Sequence, residues 1–449
     1  MNKNNIISAI VAFAVFAVGA SLGGELKIGV GRAVITPDTH PIWLAGYAAR
    51  TSPSTGMFHH VWAKALVFEE SPGNRVVLIT ADVLGLSREI TAVVSQRLKS
   101  SYGIERSQIF FNSSHTHSGP VIWPSLSVCC NFTQQELQHV VAQNRKLTDN
   151  IVAAVNMAVT DLAPARLSTG QGSAGFAINR RKREIAPVDH SVPVLRIAAP
   201  DGTVRAVLFN YACHCTTLTG GNLLINGDYA GFAMLELEAA YPGATAFFVQ
   251  GCGADQNPDP RGTEAHARQY GSEIATAVKS VLAGEMRSVS GPLRTGFLEV
   301  QLNFLPFDVE LYRREMLEKN VFKQRRAQLM LEAYNAGHPV RSIPYPVQVL
   351  RFEDTFTLLF LSGEVVVDYA LRAKREYAEE NLVVAGYCNE VQCYIPSLRV
   401  LQEGGYEADD SMIYYGQPGP FTEAVEESVF SAIRTVMKDA GAKQGESPK

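Results

Sequence analysis

Two histidines separated by a single residue, His115 and His117, stand in the polar run 112–120, directly after the apolar residues 109–111. Neutral imidazole is the commonest side-chain ligand for zinc-type metals, and on an extended backbone residues i and i+2 point to the same side. The pair therefore predicts a metal site at the end of a strand. The alternative is a pair of exposed loop histidines beside a turn at Gly119-Pro120.

A second candidate ligand, His214, lies in another polar segment at the end of an apolar strand. Metal ligands from different strands commonly meet in space, so His214 is expected to approach His115. Cys213 and Cys215 flank it and allow a zinc–thiolate site instead. The histidine is favoured, because alternate residues of a strand face away from His214.

Three further segments have the composition of loops at strand ends. Asp228 precedes a predicted helix, and capping of that helix is favoured over a binding role. Residues 250–258 contain glycines that either let a backbone approach a ligand or simply turn the chain. Glu364 follows the apolar run 358–361, so its carboxylate is expected at the edge of a sheet.

The elements that must position these side chains alternate along the chain. From residue 26 to about residue 282, short β-branched runs alternate with amphipathic segments, as in α/β layer architectures. The charged segment 308–336 is predicted to be one solvated helix that binds nothing. We predict an α/β fold with mixed β-sheets flanked by helices. The specific predictions are strands at 63–68, 76–80, 204–210, 246–250, 355–361 and 382–385, and helices at 87–101, from Thr133 onward and at 423–437.

Length and composition limit the function classes. The chain has 449 residues, 46% of them hydrophobic, which is enough for one large catalytic domain without an internal repeat or a flexible linker. It carries 40 basic and 44 acidic residues, and no dense basic block could follow a phosphate backbone. Nucleic acid is therefore excluded as an expected partner.

The N-terminus predicts export. Lys3 is followed by a charge-free apolar run, residues 6–18, and by small residues at 18–20. A membrane anchor would need about 20 apolar residues, so a cleaved signal peptide at 1–23 is favoured. The catalytic domain is then expected at 24–440, followed by a disordered polar tail at 441–449. Seven cysteines in an exported chain allow disulfides, but the odd count leaves at least one thiol unpaired, and the connectivity stays open.

Taken in order, these motifs resemble those of the neutral ceramidase family, metal-dependent amidases that hydrolyse the N-acyl bond of ceramide. The resemblance runs from 29–33 (GVGRA) to about Tyr415-Gly416, and its most specific motif is 115–120 (HTHSGP). It implies that His115 binds zinc and that His117 beside it forms hydrogen bonds or transfers protons. It also places His214, Glu364 and Tyr394 at the positions of the remaining zinc ligands.

The same resemblance implies roles around the substrate. Arg180 and Tyr406 match residues near the reacting amide, where they would hold the acyl carbonyl or a nearby polar group. Five further residues fall in motifs that could form a substrate loop: Asn179, Asp228, Gly251, Cys252 and Asp255.

Two departures separate this chain from the family pattern. Gly251 stands where the family has a serine that has been assigned the nucleophile role, so no acyl-serine can form there. The second departure is the family's β-rich C-terminal domain, which this chain is expected to lack. We therefore expect a divergent member of the family. In it, segment 308–336 would rebuild the entrance to the site.

The implied ligands provide two nitrogens and two oxygens, a set that suits one Zn²⁺ per chain better than magnesium or calcium. Zinc polarises a carbonyl and lowers the pKa of bound water to about 7. We therefore predict an exported zinc hydrolase that cleaves a C–N amide bond of a small or lipid-like N-acyl substrate through metal-activated water. Peripheral membrane contact is compatible with such a substrate, and the oligomeric state stays open.

Three alternatives remain at this stage. Cys252 could act as the nucleophile after activation by a nearby histidine. The enzyme could be an esterase or a deacetylase for a small substrate or a sugar. A non-catalytic exported protein that binds a metal or another ligand would fit the missing serine.

Overall fold

The computed structural model describes residues 26–181 and 185–444. The predicted signal peptide at 1–23 and the last five residues of the predicted tail, 445–449, lie outside the described residues. Within the described ranges, no helix combines the length and apolar composition needed to cross a bilayer.

The strands are short and mostly buried. In chain order they are β1 (Lys27–Val34), β2 (Gly56–Met57), β3 (Trp62–Ser71), β4 (Asn74–Ala81), β5 (Ile109–Ser113), β6 (Ala163–Pro164), β7 (Arg166–Ser173), β8 (Ala177–Asn179), β9 (Ser191–Ala198), β10 (Val204–Tyr211), β11 (Leu224–Ile225), β12 (Thr245–Gln250), β13 (Gln256–Pro258), β14 (Arg287–Val289), β15 (Leu293–Asn303), β16 (Ser342–Phe352), β17 (Phe356–Ser362), β18 (Glu364–Val365), β19 (Leu382–Cys388) and β20 (Tyr394–Ile395).

The helices lie mainly between the longer strands. They are α1 (Arg88–Tyr102), α2 (Gln134–Thr160), α3 (Asp228–Ala240), α4 (Glu264–Ala283), α5 (Val309–Glu315), α6 (Val321–Asn335), α7 (Val367–Glu376), α8 (Leu398–Glu403), α9 (Met412–Tyr415) and α10 (Val425–Asp439). Two 3₁₀ turns (Arg106–Gln108 and Ser127–Cys129) and one π-helical turn (Tyr406–Asp410) complete the described chain.

Two sheets form the centre of the fold. The larger sheet has nine strands in the order β15-β16-β17-β19-β5-β4-β3-β1-β6, and the smaller has five in the order β12-β10-β9-β7-β14. Both are mixed, because the pairs β4–β5, β17–β19 and β10–β12 are parallel while most other neighbours are antiparallel. The predicted α/β class with mixed sheets flanked by helices is confirmed.

The sheets pack face to face and helices cover their outer surfaces. Phe110 and Leu358 of the larger sheet share one buried apolar cluster with Leu208 and Phe247 of the smaller sheet. Helices α1, α2, α7 and α10 cover the outer face of the larger sheet, and α3 with α4 covers that of the smaller one. Strands that are buried on both faces need apolar side chains on both faces. Their sequences are therefore continuous apolar runs and do not alternate strictly between apolar and polar residues.

Close packing of α2 on β1 depends on two glycines. A side chain at Gly29 would overlap the carbonyl oxygen of Ala158, and one at Gly31 would overlap that of Ala154. The helix backbone therefore lies directly against the strand, as only glycine permits.

Most predicted elements are present with small shifts at their ends. Thr133 caps α2 through a capping box with Glu136, as predicted, and α1 starts directly after Ser87. The predicted strands correspond to β3, β4, β10, β12, β17 and β19, and the final predicted helix corresponds to α10.

The prediction of one solvated helix at 308–336 is wrong. The segment forms two helices, α5 and α6, with a break at residues 316–320. Between them, Arg326 and Glu315 form a buried ion pair beside the buried ring of Tyr312. Charged residues can pack inside when they pair with each other, and composition alone does not reveal that pairing. Residues of α6 also line a cavity beside the site described below.

Candidate metal centre

Three segments that follow strands bring their side chains to one point. His115 comes shortly after β5, His214 shortly after β10, and Glu364 shortly after β17. The Nε2 atoms of His115 and His214 lie 3.2 Å and 3.1 Å from the same Glu364 carboxylate oxygen, Oε2. All three side chains are buried. The approach of His214 to His115 predicted from the sequence is present.

Tyr394 supplies a fourth donor at this point. It begins β20, which pairs in parallel with β18 so that Tyr394 lies opposite Glu364. Its hydroxyl oxygen lies 3.2 Å from His214 Nε2, and its ring stacks on that of His214. The structure therefore brings together all four residues that the resemblance implied as ligands.

The two histidines of the 115–117 pair converge, but not because they lie on a strand. β5 ends at Ser113, and His115 adopts a left-handed backbone conformation with φ of 58°. Non-glycine residues rarely adopt this conformation, and they do so mainly at functional sites. As a result the two rings lie nearly perpendicular, at 82°, with their Nε2 atoms 3.2 Å apart.

Hydrogen bonds to the backbone fix the orientation of the two ligand histidines. Nδ1 of His115 lies 2.6 Å from the carbonyl oxygen of Leu84, and Nδ1 of His214 lies 2.7 Å from that of Gly253. A carbonyl oxygen can only accept, so each Nδ1 carries the proton and donates it. Each Nε2 atom therefore presents a lone pair to the centre, the arrangement that metal-binding histidines adopt.

Both Nε2 atoms face the same Glu364 carboxylate oxygen. Burial lowers the pKa of His214 to about 4, although the hydrogen bond to Glu364 opposes the shift, so a second proton on this ring is unfavourable near neutral pH. A cation at the centre would remove the repulsion between the lone pairs of His115, His214 and Glu364. The donor separations of 3.1–3.2 Å also match the edge of about 3.3 Å expected for a tetrahedral ion with bonds of about 2.0 Å. The residues present therefore fit a small divalent metal ion.

His117 lies beside this donor set. The metal-ligating atoms of His115, His117 and His214 all lie within 4.8 Å of one another, so His117 could also bind an ion. Its Nδ1 is buried without a hydrogen-bond partner, and its ring packs against Tyr47. Arg50 donates to the His117 carbonyl oxygen at 3.0 Å and holds this part of the loop in place. The predicted role in proton transfer stays a prediction.

Arg180 connects the centre to its surroundings. Its Nη2 donates to the Tyr394 hydroxyl at 3.2 Å and its Nε donates to Glu407 at 2.7 Å. Its guanidinium lies 5.3 Å from the ring centre of Tyr406, within cation–π range. Tyr406 is 42% exposed and lines the cavity that leads to the centre, next to Tyr394. Both residues therefore lie beside Tyr394 on the wall of the cavity, and their predicted roles toward a substrate stay predictions.

Two of the predicted substrate-loop residues support the site from behind. Asn179 donates to Asp255 at 2.7 Å, and the other Asp255 oxygen accepts the backbone N–H of Val367 at 2.9 Å. Burial raises the pKa of Asp255 to about 6, against the effect of these hydrogen bonds. Neither side chain lines the cavities around the centre.

Asp228 holds the loop that carries His214. It is the first residue of α3, whose N-cap is Gly227, so the predicted capping position is displaced by one residue. Its buried carboxylate accepts the backbone N–H groups of Thr217, Leu218 and Tyr229. Asp228 thereby ties this loop to the helix.

The Gly251-Cys252 segment is packed too tightly to act directly. A side chain at Gly251 would place its Cβ 3.0 Å from the Cα and Cβ atoms of Ala212, so a serine would require the backbone to shift. Cys252 is fully buried in the apolar cluster that contains Val365 and Tyr369. Burial raises the pKa of its thiol well above the usual value.

Two more cysteines lie away from the centre. Cys213 and Cys215 are buried on the opposite side of the His214 loop, as the strand alternation predicted. All seven cysteines, which lie within the described ranges, are free thiols.

Tyr415 is a functional residue that the sequence did not reveal. Its buried hydroxyl donates a short hydrogen bond to Oε1 of Glu364, the carboxylate oxygen that faces away from the histidines. Burial, reinforced by the nearby Glu364, raises the pKa of Tyr415 well above its usual value, so the hydroxyl stays protonated and keeps donating. The only signal in the sequence is its place at the end of the resembling region.

Replacing Tyr415 with phenylalanine should weaken metal binding by about 10–100-fold. This is the usual loss of metal affinity when a residue that orients a metal ligand through a hydrogen bond is removed. Isothermal titration with the metal measures the change. Tyr414→Phe is the matched control, since that ring contacts Tyr406 and Phe322 instead of Glu364. Equal metal affinity in the two variants would show that Tyr415 does not orient the carboxylate.

The chain is similar in sequence to known proteins of one family. The family model described as "Neutral/alkaline non-lysosomal ceramidase, N-terminal" matches residues 26–284. Neutral ceramidase B of Dictyostelium discoideum is 27% identical over 275 residues, which cover 55% of this chain and 37% of that protein. The neutral ceramidase of Pseudomonas aeruginosa is 25% identical over 296 residues, covering 58% and 44%. The matched region thus spans less than half of these relatives.

Solved structures share the fold. The crystal structure of the neutral ceramidase from Pseudomonas aeruginosa superposes with a TM-score of 0.74 at 22% identity, covering 95% of this chain and 76% of that one. A structure described as a ceramidase complexed with C2 also gives a TM-score of 0.74, at 21% identity, covering 95% and 77%.

Proposed function

Because this chain belongs to the neutral/alkaline non-lysosomal ceramidase family, we propose that it is a zinc-dependent hydrolase of a C–N amide bond in an N-acyl substrate. The observation that carries the proposal is the convergence of His115, His214 and Glu364 in a buried space, where Nε2 of each histidine lies 3.1–3.2 Å from the same carboxylate oxygen. A cation bound there would compensate the buried carboxylate of Glu364.

The ion would be held by His115, His214, Glu364 and Tyr394. Two imidazoles and two oxygens favour Zn²⁺ over magnesium or calcium, which prefer sites built from oxygen alone. When bound, zinc supplies a Lewis acid that polarises a carbonyl and makes water more acidic.

The remaining chemistry belongs to the side chains around the centre. In hydrolysis, the oxygen of water bonds to the acyl carbon, the C–N bond breaks, and a proton reaches the leaving nitrogen. His117 is the residue we assign to this proton transfer, because its Nε2 faces the centre and no other described group occupies its Nδ1. Burial, together with His115 and His214, lowers the pKa of His117 well below its usual value, so it begins as a base.

Tyr406 and Arg180 complete the substrate side. Arg180 donates to Tyr394 and lies over the ring of Tyr406, so it sets the positions of both tyrosines. Tyr406 lines the open cavity, where its hydroxyl could bind the acyl carbonyl or the amide nitrogen.

A water nucleophile is favoured over Cys252. The thiol lies in the apolar core and is held protonated by burial, whereas reactive cysteines are accessible and easily ionised.

Export after cleavage of residues 1–23 remains part of the proposal. It is supported by the apolar run 6–18 alone.

Replacing Cys252 with alanine should leave turnover within about 3-fold of the wild type and lower stability by about 1–2 kcal/mol through the small cavity it creates. Steady-state kinetics and denaturant unfolding measure the two effects. Cys388→Ala is the control, since Cys388 is another fully buried thiol but lies in a different cluster. Lost turnover in Cys252→Ala alone, with the metal retained, would assign the nucleophile to the cysteine.

A substrate panel tests the proposed function as a whole. The metal-loaded protein is incubated with N-acyl sphingosines, short acyl amides, carboxylic esters and acetylated sugars, and the products are quantified. We expect amide cleavage that a chelator abolishes and added Zn²⁺ restores. Cleavage of esters alone, or no cleavage by protein with stoichiometric metal, would overturn the amidase assignment.

A further inference from the structure

The open cavity at the centre carries an unpaired cation. This cavity has a volume of about 730 Å³, and His117, His214 and Tyr394 of the centre form part of its wall. Arg261 lines the same cavity and is exposed. Within the described part of the chain, its guanidinium makes neither an ion pair nor a hydrogen bond.

The other charged groups on this wall neutralise one another. Arg180 and Arg181 both pair with Glu407, and Arg181 also pairs with Glu403. These pairs leave Arg261 as the cation of the cavity that has no anionic partner in the described ranges. A bound anion would complete it.

Thr216 provides a second and independent sign of a ligand. Its side chain is 3% exposed and lines the cavity, and its hydroxyl Oγ1 has no hydrogen-bond partner among the described residues. A buried hydroxyl without a partner costs free energy unless something binds it. Because Thr216 lies two residues after His214, this donor points into the cavity close to the metal centre.

A second route from the centre leads to an apolar cavity and shares His117, Tyr394 and Tyr406 with the open one. A smaller cavity of about 210 Å³ contains His115 and Glu364 and shares Tyr47, Leu126 and other residues with a second cavity of about 290 Å³. The second cavity is lined largely by apolar side chains, including Trp43, Val121, Phe132 and, from α6, Phe322. Its two cations, Arg50 and Arg325, donate to backbone carbonyl oxygens. Its volume is at the lower end of the range for small-molecule sites, so it suits a chain of moderate length.

An amide held at the centre would therefore have one apolar and one anion-binding neighbour. We propose that the substrate is an N-acyl amino acid, with its acyl chain in the 290 Å³ cavity and the carboxylate of its amine portion bound by Arg261 and Thr216. This inference rests on the proposed amide hydrolysis and specifies its substrate class. Arg261 determines specificity in this arrangement and takes no part in the chemical step.

The test compares substrates that share one acyl chain and differ in the amine portion. N-lauroylglycine and N-lauroylethanolamine have the same acyl chain and similar size, and N-lauroylsphingosine adds a second apolar chain. For the metal-loaded enzyme we expect kcat/KM to be at least about 10-fold higher for N-lauroylglycine than for the ethanolamide, the usual size of a charge-assisted contact. The advantage should appear mainly in KM.

Variants of Arg261 connect the preference to the residue. Arg261→Gln should reduce the glycine-to-ethanolamide ratio of kcat/KM by about 10-fold, and Arg261→Lys should restore part of it because the charge returns without the planar fork. Arg268→Gln is the matched control, since it removes another surface arginine, which pairs with Glu264 four residues earlier. An unchanged ratio in Arg261→Gln, or equal kcat/KM for the two substrates in the wild type, would overturn the inference while leaving amide hydrolysis intact.

Binding measurements separate this inference from the proposed function. If no amide is cleaved, the binding of N-lauroylglycine and of N-lauroylethanolamine is measured by calorimetric titration of the wild type and of Arg261→Gln. Selective binding of the glycine conjugate that depends on Arg261 would uphold the anion site although hydrolysis had failed. Unselective binding, or none, would overturn it.

Discussion

Replacing His115 or His214 with alanine should remove the metal and the activity together. Each change deletes one of two imidazole donors that meet Glu364 in the buried centre. We expect the metal content to fall from about one ion per chain to less than about 0.1, and kcat/KM to fall at least about 10³-fold, as the loss of several kcal/mol of carbonyl polarisation implies.

Metal analysis by mass spectrometry and thermal unfolding test this without relying on turnover. A ligand at 1,000 times its Kd stabilises a protein by about 4 kcal/mol, so added Zn²⁺ should raise the Tm of the wild type but not that of either variant. His338→Ala is the control, because His338 is exposed and outside the centre. Full zinc stoichiometry in both ligand variants would refute the assigned centre.

Replacing His117 with alanine should separate metal binding from catalysis. The donors His115, His214, Glu364 and Tyr394 remain, so the protein should keep about one ion per chain. Loss of a positioned proton-transfer group typically lowers kcat by about 10²–10⁴-fold. Metal analysis and steady-state kinetics on the same preparation give the two quantities.

The contrast with the ligand variants makes the result decisive. His139→Ala serves as the control, since the hydrogen-bond partners of His139 among the described residues are Thr39 and Gln143, away from the centre. Loss of metal from His117→Ala would move His117 into the ligand set, which its position 3.2 Å from His115 Nε2 makes geometrically accessible. Retained metal with full turnover would remove it from the mechanism.

The Gly251 position gives these results a wider meaning. The family pattern has a serine there, whereas this chain has a glycine packed against Ala212. If turnover depends on the metal and His117 but not on Cys252, the reaction needs no covalent intermediate on that cysteine. The chain would then use the family's fold and metal centre with water as the nucleophile.

Local elements could be read from the sequence because near neighbours encode them. The capping box at Thr133 and Glu136 and the apolar face of α1 are set by residues within a few positions of each other. The same reasoning failed at 308–336. There the burial of Arg326 depends on Glu315 in a different helix, and charge content alone suggested a solvated surface.

The histidine pair shows which features of the site could be predicted from the sequence and which could not. Its residue types predicted a metal site, but the predicted extended geometry was wrong, because His115 leaves the strand with a left-handed backbone. Tyr415 and the carbonyl oxygens of Leu84 and Gly253 could not be foreseen, since their partners are distant in sequence and carry no motif of their own.

The sequence by itself therefore determined the α/β class, most element positions and the residue types able to bind a metal, because short-range periodicity and side-chain chemistry decide them. Only the tertiary structure decided which ring nitrogen of His115 and of His214 faces the centre. It also decided that Cys252 faces the core and that Arg261 lacks an anionic partner among the described residues. These properties arise from burial and long-range contacts, which exist only after the two sheets and their connecting loops have packed together.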